Sequence, residues 1–305
     1  MSDPKITIIT PCCNQAPYIE RTLCSVLDQG YDNLEYMVID GGSTDGTTQI
    51  IECYTDELAA YVSEPDHGAA DAINKALAMA SGDMIAILSG DDLYLPGALD
   101  AVAKRWASCD QPKWLIGHTM NIGTEDQELG MIPAGAPDSL SSFLMHDCCQ
   151  WPTAASFWSR RFVDAYGAFR PDFKYRFDYE YWCRLLAAGV RPQTVPRQLL
   201  AAHRQREPNP SGTVTLKRGL ETIAAAARYA GRLPLRRRCE LWRNCDMRRR
   251  IYALAEAELN ERHAMRHLVK QVMRHPWWLA DDAFRHTLLH GVEHPVPPEM
   301  LRPAA

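Results

Sequence analysis

The stretch LSGDDLYLPGAL, residues 88–99, ends an apolar run on two adjacent carboxylates, Asp91 and Asp92. Two acids at the end of a buried strand are costly unless they are solvated or paired. A hard divalent cation is one such partner. Mg2+ takes oxygen ligands, commonly one or two carboxylates, and leaves its other positions to phosphate and water. The alternative is that Asp91 and Asp92 cap the helix suggested by LPGALDAVAKRWA, and the tripeptide GDD alone does not choose between the two.

Five other segments hold polar groups at spacings that could do chemistry. IDGGSTDGT sets Asp40 among glycines and hydroxyls, and EPDHGAADAINKA brings Asp66, His67, Gly68, Asp71, Asn74 and Lys75 to the start of a helix. Carboxylates there can accept hydrogen bonds from a base or ribose, while backbone amides, Lys75 and a cation can neutralise phosphate. Turns and helix caps are the plainer reading of each. In FDYEYWCRL, residues 178 and 182 share a helical face while Glu180 and Arg184 can pair at i,i+4. Asp178 is thus placed to face a cleft, or else it serves the helix dipole. HRQREPNPSG offers His203, Arg204 and Arg206 to a diphosphate or to solvent. CCQWPTAASFW offers Gln150, Trp151 and Trp158 as an acceptor wall, since aromatic faces suit sugar rings, unless they pack in a core. His263 and His267 share i,i+4 spacing without a third ligand, which reads as a solvated helix face.

The elements that must position these groups follow from periodicity. KITIITP, LEYMVID, AAYVSEP and GDMIAILSG read as strands, separated by the helical APYIERTLCSVLDQ, TQIIECY and GAADAINKALAMA. This βαβα order implies a mostly parallel sheet flanked by helices, and ligands of such sheets bind beyond the carboxyl ends of the strands. Asp40 and Asp91 then lie along one rim. Past Pro112 the pattern is mixed: KWLIGHTMNIG reads as a strand, SRRFVDAYG and DYEYWCRLLAAG as helices, and QTVPRQLLAAHR as an edge strand because its proline limits pairing. From about Ser211 the chain is helical and Arg-rich. The expected division is 1–213, with halves 1–110 and 111–213, followed by a helical extension over 214–305.

Composition sets outer bounds. With 305 residues, 46% apolar and 23% charged, the chain can bury a real core. A net charge of −5 gives no general attraction to nucleic acid or acidic membranes. The ten cysteines lack a Cys-x-x-Cys spacing and read as reduced, buried thiols of a cytosolic protein. MSDPKITIITP lacks the plan of a signal peptide, and no apolar run reaches the length of a membrane span. A membrane link would therefore be peripheral. The Arg-rich C-terminal helices suit either contact with the inner face of a membrane or self-association.

Taken in order, TIITPCCNQAPYIERTLCSVLDQGYDNLEYMVIDGGSTDGT and SEPDHGAADAINKALAMASGDMIAILSGDDLYLPGAL resemble the family 2 glycosyltransferases, and the likeness extends more weakly to about residue 213. The resemblance implies a glycosyltransferase A-type, Rossmann-like nucleotide-binding fold and an inverting reaction. It implies that Pro11, Asn14, Asp40 and Asp71, with Lys75, hold the donor, and that Asp91 is a metal ligand for Mg2+ or Mn2+. Asp92 is an extra acid beside it, taken as a second metal ligand, because the family's Asp-x-Asp stands here as Ser89-Gly90-Asp91. Asp178 aligns with the acidic base, and Arg204 and Arg206 with a segment that meets the diphosphate. The implied partners are a nucleoside-diphosphate sugar, UDP-linked, and a glycan or lipid-linked glycan acceptor. A noncatalytic sugar-nucleotide or glycan-binding module and a nucleotidyltransferase are the alternatives. A dinucleotide oxidoreductase is disfavoured, because DGGSTDGT lacks the Gly-x-Gly-x-x-Gly turn.

Overall fold

The structure is a computed structural model and describes residues 3–107, 112–135, 137, 139–145, 153–205 and 212–256. Gln150, Trp151, Arg206, His263 and His267 lie outside the described residues. The chain separates into two compact units, one of residues 1–140 and 148–206, the other of 141–147 and 207–305.

The first unit begins as the hydrophobic periodicity predicts. Strand β1 (Ile6–Cys12) is buried along its whole length, helix α1 (Ile19–Leu27) follows, and β2 (Leu34–Asp40) pairs parallel with β1 so that Cys12 stands opposite Asp40. Helix α2 (Thr47–Glu52), β3 (Ala60–Ser63), α3 (Ala69–Met79) and β4 (Met84–Ile87) complete the parallel half. Strands this apolar belong inside a sheet covered on both faces. Ile19, Leu23 and Val26 of α1 have no exposure, and α3 packs against β1 and β2 through Ile73 and Ala76, also fully buried.

The later elements are β5 (Leu93–Tyr94), α4 (Ala98–Ala107), β6 (Trp114–Ile122), β7 (Glu128–Ile132), α5 (Leu140–Met145), which past its first residue belongs to the second unit, β8 (Ser156–Ser159), α6 (Arg160–Tyr166), α7 (Phe177–Ala187) and β9 (Gln193–Arg204). Strand order is β3-β2-β1-β4-β8-β6-β9-β5, with β7 paired to β6. One expectation is corrected here, and one strand is new. The segment QTVPRQLLAAHR is no edge strand: β9 lies between β6, with which it is parallel, and β5. The ladder slips between Ile116 opposite Thr194 and His118 opposite Leu199, so Pro196 falls in the irregularity and removes no needed donor. Strand β8, hidden in SFWS, runs antiparallel between β4 and β6.

In the second unit α8 (Gly212–Tyr229) and α9 (Leu235–Glu256) pack together across a short 3-10 turn, Ala230–Arg232. Among the described residues no helix is long and apolar enough to cross a membrane. The seven described cysteines are all free, but Cys13, Cys53 and Cys239 are exposed, against the expectation of buried thiols.

Candidate active site

The sheet order reverses at β1, which has β2 on one side and β4 on the other. In an open α/β sheet that reversal opens a crevice beyond the carboxyl ends of the strands. Three loops border it here, those following β1, β2 and β4.

The first two loops are stitched together. Asn14, at φ +52, donates its N–H to Ser43 Oγ at 2.7 Å and accepts from Thr44 N at 2.9 Å through Oδ1. Asn14 is exposed, whereas Pro11 is buried inside β1, its carbonyl accepting from Gly90 N at 3.3 Å. Asp40 has no exposure. Its carboxylate accepts from Gly42 N at 3.1 Å, Ser43 N at 2.9 Å, Ser63 Oγ at 2.8 Å and also Ser43 Oγ. Asp40 therefore shapes the loop that would meet a nucleotide and keeps no exposed oxygen for one. Gly41 allows a close approach, because a Cβ there would stand 2.7 Å from Asp66 Oδ2.

Asp71 and Lys75 lie on the first turns of α3. Asp71 accepts from His67 N at 3.2 Å, and Lys75 Nζ pairs with Glu64 at 2.8 Å and Asp71 at 3.7 Å. The hydrogen bond to Glu64, only partly opposed by desolvation, raises the Lys75 pKa and keeps the amine charged.

The acidic turn after β4 is held from three sides. Gly90 sits so close to the β1 loop that a Cβ would meet Cys12 Cβ at 2.8 Å, and Thr22 Oγ1 donates to Asp92 O at 2.9 Å. The helix-cap reading of this pair is set aside, since α4 starts only at Ala98 and Asp92 turns inward. Its Oδ1 accepts from Arg204 N at 2.9 Å and faces His203 Nδ1 at 3.0 Å. Asp92 is 3% exposed, which corrects its assignment as a metal ligand: it orients His203 and anchors β9. Asp91 remains half-exposed at the rim. The charge of Asp92 raises His203 to about 9 against the opposing effect of burial, and Asp91 and Asp178 push in the same direction. Three carboxylates thus act on one imidazole.

Arg204 is also corrected. Its side chain is fully buried, with Nε donating to Asp91 O at 2.9 Å, Nη1 to Gly123 O at 2.7 Å, and Nη2 paired with Asp126 at 2.5 Å. The guanidinium lies over the Tyr18 ring at 4.7 Å. Such a group ties the acidic turn to the β6–β7 turn and cannot reach a diphosphate. Trp158 has no exposure either: on the interior strand β8 it packs against Trp182 at 5.3 Å and Tyr181 at 6.0 Å, with no face left for an acceptor.

Asp178 stands half-exposed in the first turn of α7, where Oδ2 accepts from Thr153 Oγ1 at 2.9 Å and Oδ1 from Tyr179 N at 2.7 Å. Behind it Glu180 and Arg184 form the anticipated i,i+4 ion pair. Thr153, Asp126 and Tyr18 escaped the sequence reading. Each matters only through a partner at least 25 residues away, and nothing local marks them. Among the described residues no three His, Cys, Asp or Glu groups come together as a metal cage.

Comparison with known proteins gives the family and the fold. Residues 7–120 match the profile of Glycosyl transferase family 2. The chain is 39% identical over 100 residues to the putative teichuronic acid biosynthesis glycosyltransferase TuaG of Bacillus subtilis, covering 32% of this chain but only 40% of TuaG. It is 33% identical over 198 residues to an uncharacterized glycosyltransferase of Mycobacterium tuberculosis, covering 64% of this chain and 73% of that one. Two solved structures share the fold. Staphylococcus aureus TarS 1–349 in complex with UDP-GlcNAc has a TM-score of 0.60 at 18% identity, covering 97% of this chain and 82% of that one. A mannosyltransferase from Pyrobaculum calidifontis in complex with GDP-Man and Mn2+ has 0.58 at 20%, covering 96% and 89%. The fold is the glycosyltransferase A type. Sharing a third of its aligned residues with a relative of which it spans nearly three quarters, the chain belongs to glycosyl transferase family 2.

Proposed function

We propose that the chain transfers a sugar from a UDP-linked donor to a hydroxyl of a glycan or lipid-linked glycan, in one displacement that inverts the anomeric carbon. The observation that carries this reading is the acidic turn Asp91–Asp92 at the rim where the strand order reverses, with Asp92 in contact with His203 at 3.0 Å. The UDP-GlcNAc of the TarS complex supports the choice of donor nucleotide.

The residues present fit a divalent cation. Asp91 offers a half-exposed carboxylate, and the Asp92 contact at Nδ1 of His203 leaves Nε2, which would have to release its proton to the solvent, as the ring nitrogen for a ligand. Asp91 would hold the cation through oxygen, and diphosphate and water would fill most of the other positions. Bound there, Mg2+ or Mn2+ would supply charge neutralisation for the departing diphosphate. The remaining work falls to the chain. The Asn14–Thr44 loops frame the base and ribose, Lys75 brings a cation to the phosphates, and Asp178 takes the proton from the attacking hydroxyl. Thr153 and the Tyr179 N–H hold the Asp178 carboxylate in one orientation for that transfer. Exposed Leu235 and Trp242 beside exposed Arg236 and Arg237 on α9 support placing the enzyme at the cytoplasmic face of a membrane that bears the acceptor.

The test is a panel of nucleotide sugars with Mg2+, Mn2+ or EDTA, followed by mass spectrometry of the released nucleotide. UDP release that EDTA and Asp91→Asn abolish is expected, and Asp178→Asn is expected to lower transfer by about 10²–10⁴-fold while UDP still binds. Pyrophosphate release would instead mark a nucleotidyltransferase, and binding without turnover a noncatalytic module.

A further inference from the structure

Asn74 lies on α3 between Asp71 and Lys75, yet its amide faces neither. It makes a two-point contact with the main chain of Phe169, 95 residues away: Asn74 Nδ2 donates to Phe169 O at 2.8 Å, and Phe169 N donates to Asn74 Oδ1 at 2.9 Å. A carboxamide is the side chain that can satisfy one backbone donor and one acceptor at once. Phe169 is 2% exposed, so its peptide groups need protein partners.

The same short segment is gripped from the other side. Arg184, on α7, donates through Nη1 to the carbonyls of Tyr166 at 3.0 Å, Gly167 at 3.2 Å and Ala168 at 2.8 Å, and is itself held by Glu180. The Phe169 ring rests on Tyr181 at 4.5 Å and meets Phe177 edge-on at 5.6 Å, and these two residues flank Asp178. Residues 166–169 therefore form a strap with α3 on one side and the start of α7 on the other.

We propose that Asn74 is a positioning residue that sets the placement of the Asp178 helix relative to the helix carrying Asp71 and Lys75. The proposal rests on the reading of α3 as the donor-side helix and Asp178 as the base. With Asn74 in place the base and the donor helix move as one body. Without it the strap loses its link to α3 and keeps those to α7 and to Trp158 of β8.

Hydrogen exchange on the full chain tests this, comparing wild type, Asn74→Ala and, as a control, Glu35→Gln, which perturbs the opposite end of the sheet. Losing two hydrogen bonds is expected to speed exchange of amides over 166–187 about tenfold, with β1 and β2 unchanged. UDP with Mn2+ is expected to bind Asn74→Ala within about twofold of wild type, while kcat for UDP release falls at least about tenfold at nearly constant donor KM. Unchanged exchange over 166–187, or an even rise throughout the first unit as in the control, overturns the proposal. So does a loss of kcat no greater than that of Glu35→Gln. If wild type binds no UDP, the assigned function fails, and the exchange arm alone still decides whether Asn74 holds the strap.

Discussion

Glu35, at the amino end of β2 and far along the strand from Asp40, provides a quantitative test of what holds the sheet together. Its side chain is 8% exposed and accepts from Lys5 Nζ at 2.7 Å, Thr7 Oγ1 at 2.6 Å, Ser81 Oγ at 2.5 Å and Ser81 N at 2.8 Å. One carboxylate thus joins β1, β2 and the turn before β4. Burial by itself would raise the Glu35 pKa, but the bonds from Lys5, Ser81 and Thr7 outweigh it and hold the carboxyl at about 2 instead of 4.5. The unfolded chain therefore takes up this proton first as the pH falls. The contribution to stability is full above 4.5 and is lost as the pH drops toward about 2. The difference corresponds to about 3 kcal/mol at neutral pH. Glu35→Gln should lose roughly 2–3 kcal/mol at pH 7, since an amide cannot accept all these donors. Urea denaturation of wild type and variant, followed by far-UV circular dichroism at pH 7, 5 and 3, measures the gap. The gap should shrink to less than half by pH 3. An equal gap at pH 7 and pH 3 would refute the assignment, and UDP affinity at pH 7 should be unchanged.

Arg204→Ala should destabilise the first unit by roughly 3–5 kcal/mol, because it leaves Asp126 and two loop carbonyls without their buried partner. A thermal scan reads this directly, and UDP affinity should fall with it because the Asp91–Asp92 turn loses its anchor. Trp158→Phe should lower stability by about 1–3 kcal/mol and leave acceptor KM unchanged, whereas an acceptor-wall role would require KM to rise. Gly90→Ala should weaken UDP binding by several-fold in isothermal calorimetry, because the new methyl displaces Cys12 or the acidic turn; unchanged binding would show that the turn has room.

Local pattern was enough for much of this chain. The limits of β2 coincide with LEYMVID, β1 and β4 are strands where their apolar runs lie and are buried throughout, and the i,i+4 pair of Glu180 and Arg184 forms as their spacing requires. The order of the motifs along 7–99 pointed to the family, and the rule for open sheets put Asp40 and Asp91 at the carboxyl rim. These features depend on neighbours a few residues apart, and periodicity records such neighbours. What each polar group then does depends on distant partners. Arg204 and Trp158 have the composition of ligand-binding residues, yet one is consumed by Asp126 and two carbonyls and the other is sealed inside β8. Strand β9 was read as an edge because Pro196 forbids regular pairing, and only the slip against β6 shows how a central strand can carry it. Asn74 stood among the polar groups at the start of a possible ligand-facing helix, and only the fold shows Phe169, 95 residues on, meeting both ends of its amide. The sequence determined which segments are strands and helices and which acids stand at their ends, because burial periodicity is local. Only the tertiary structure decided which of those charges are spent on the protein itself and which still face the cleft, because hydrogen bonds and ion pairs are formed by whatever the fold brings within about 3 Å.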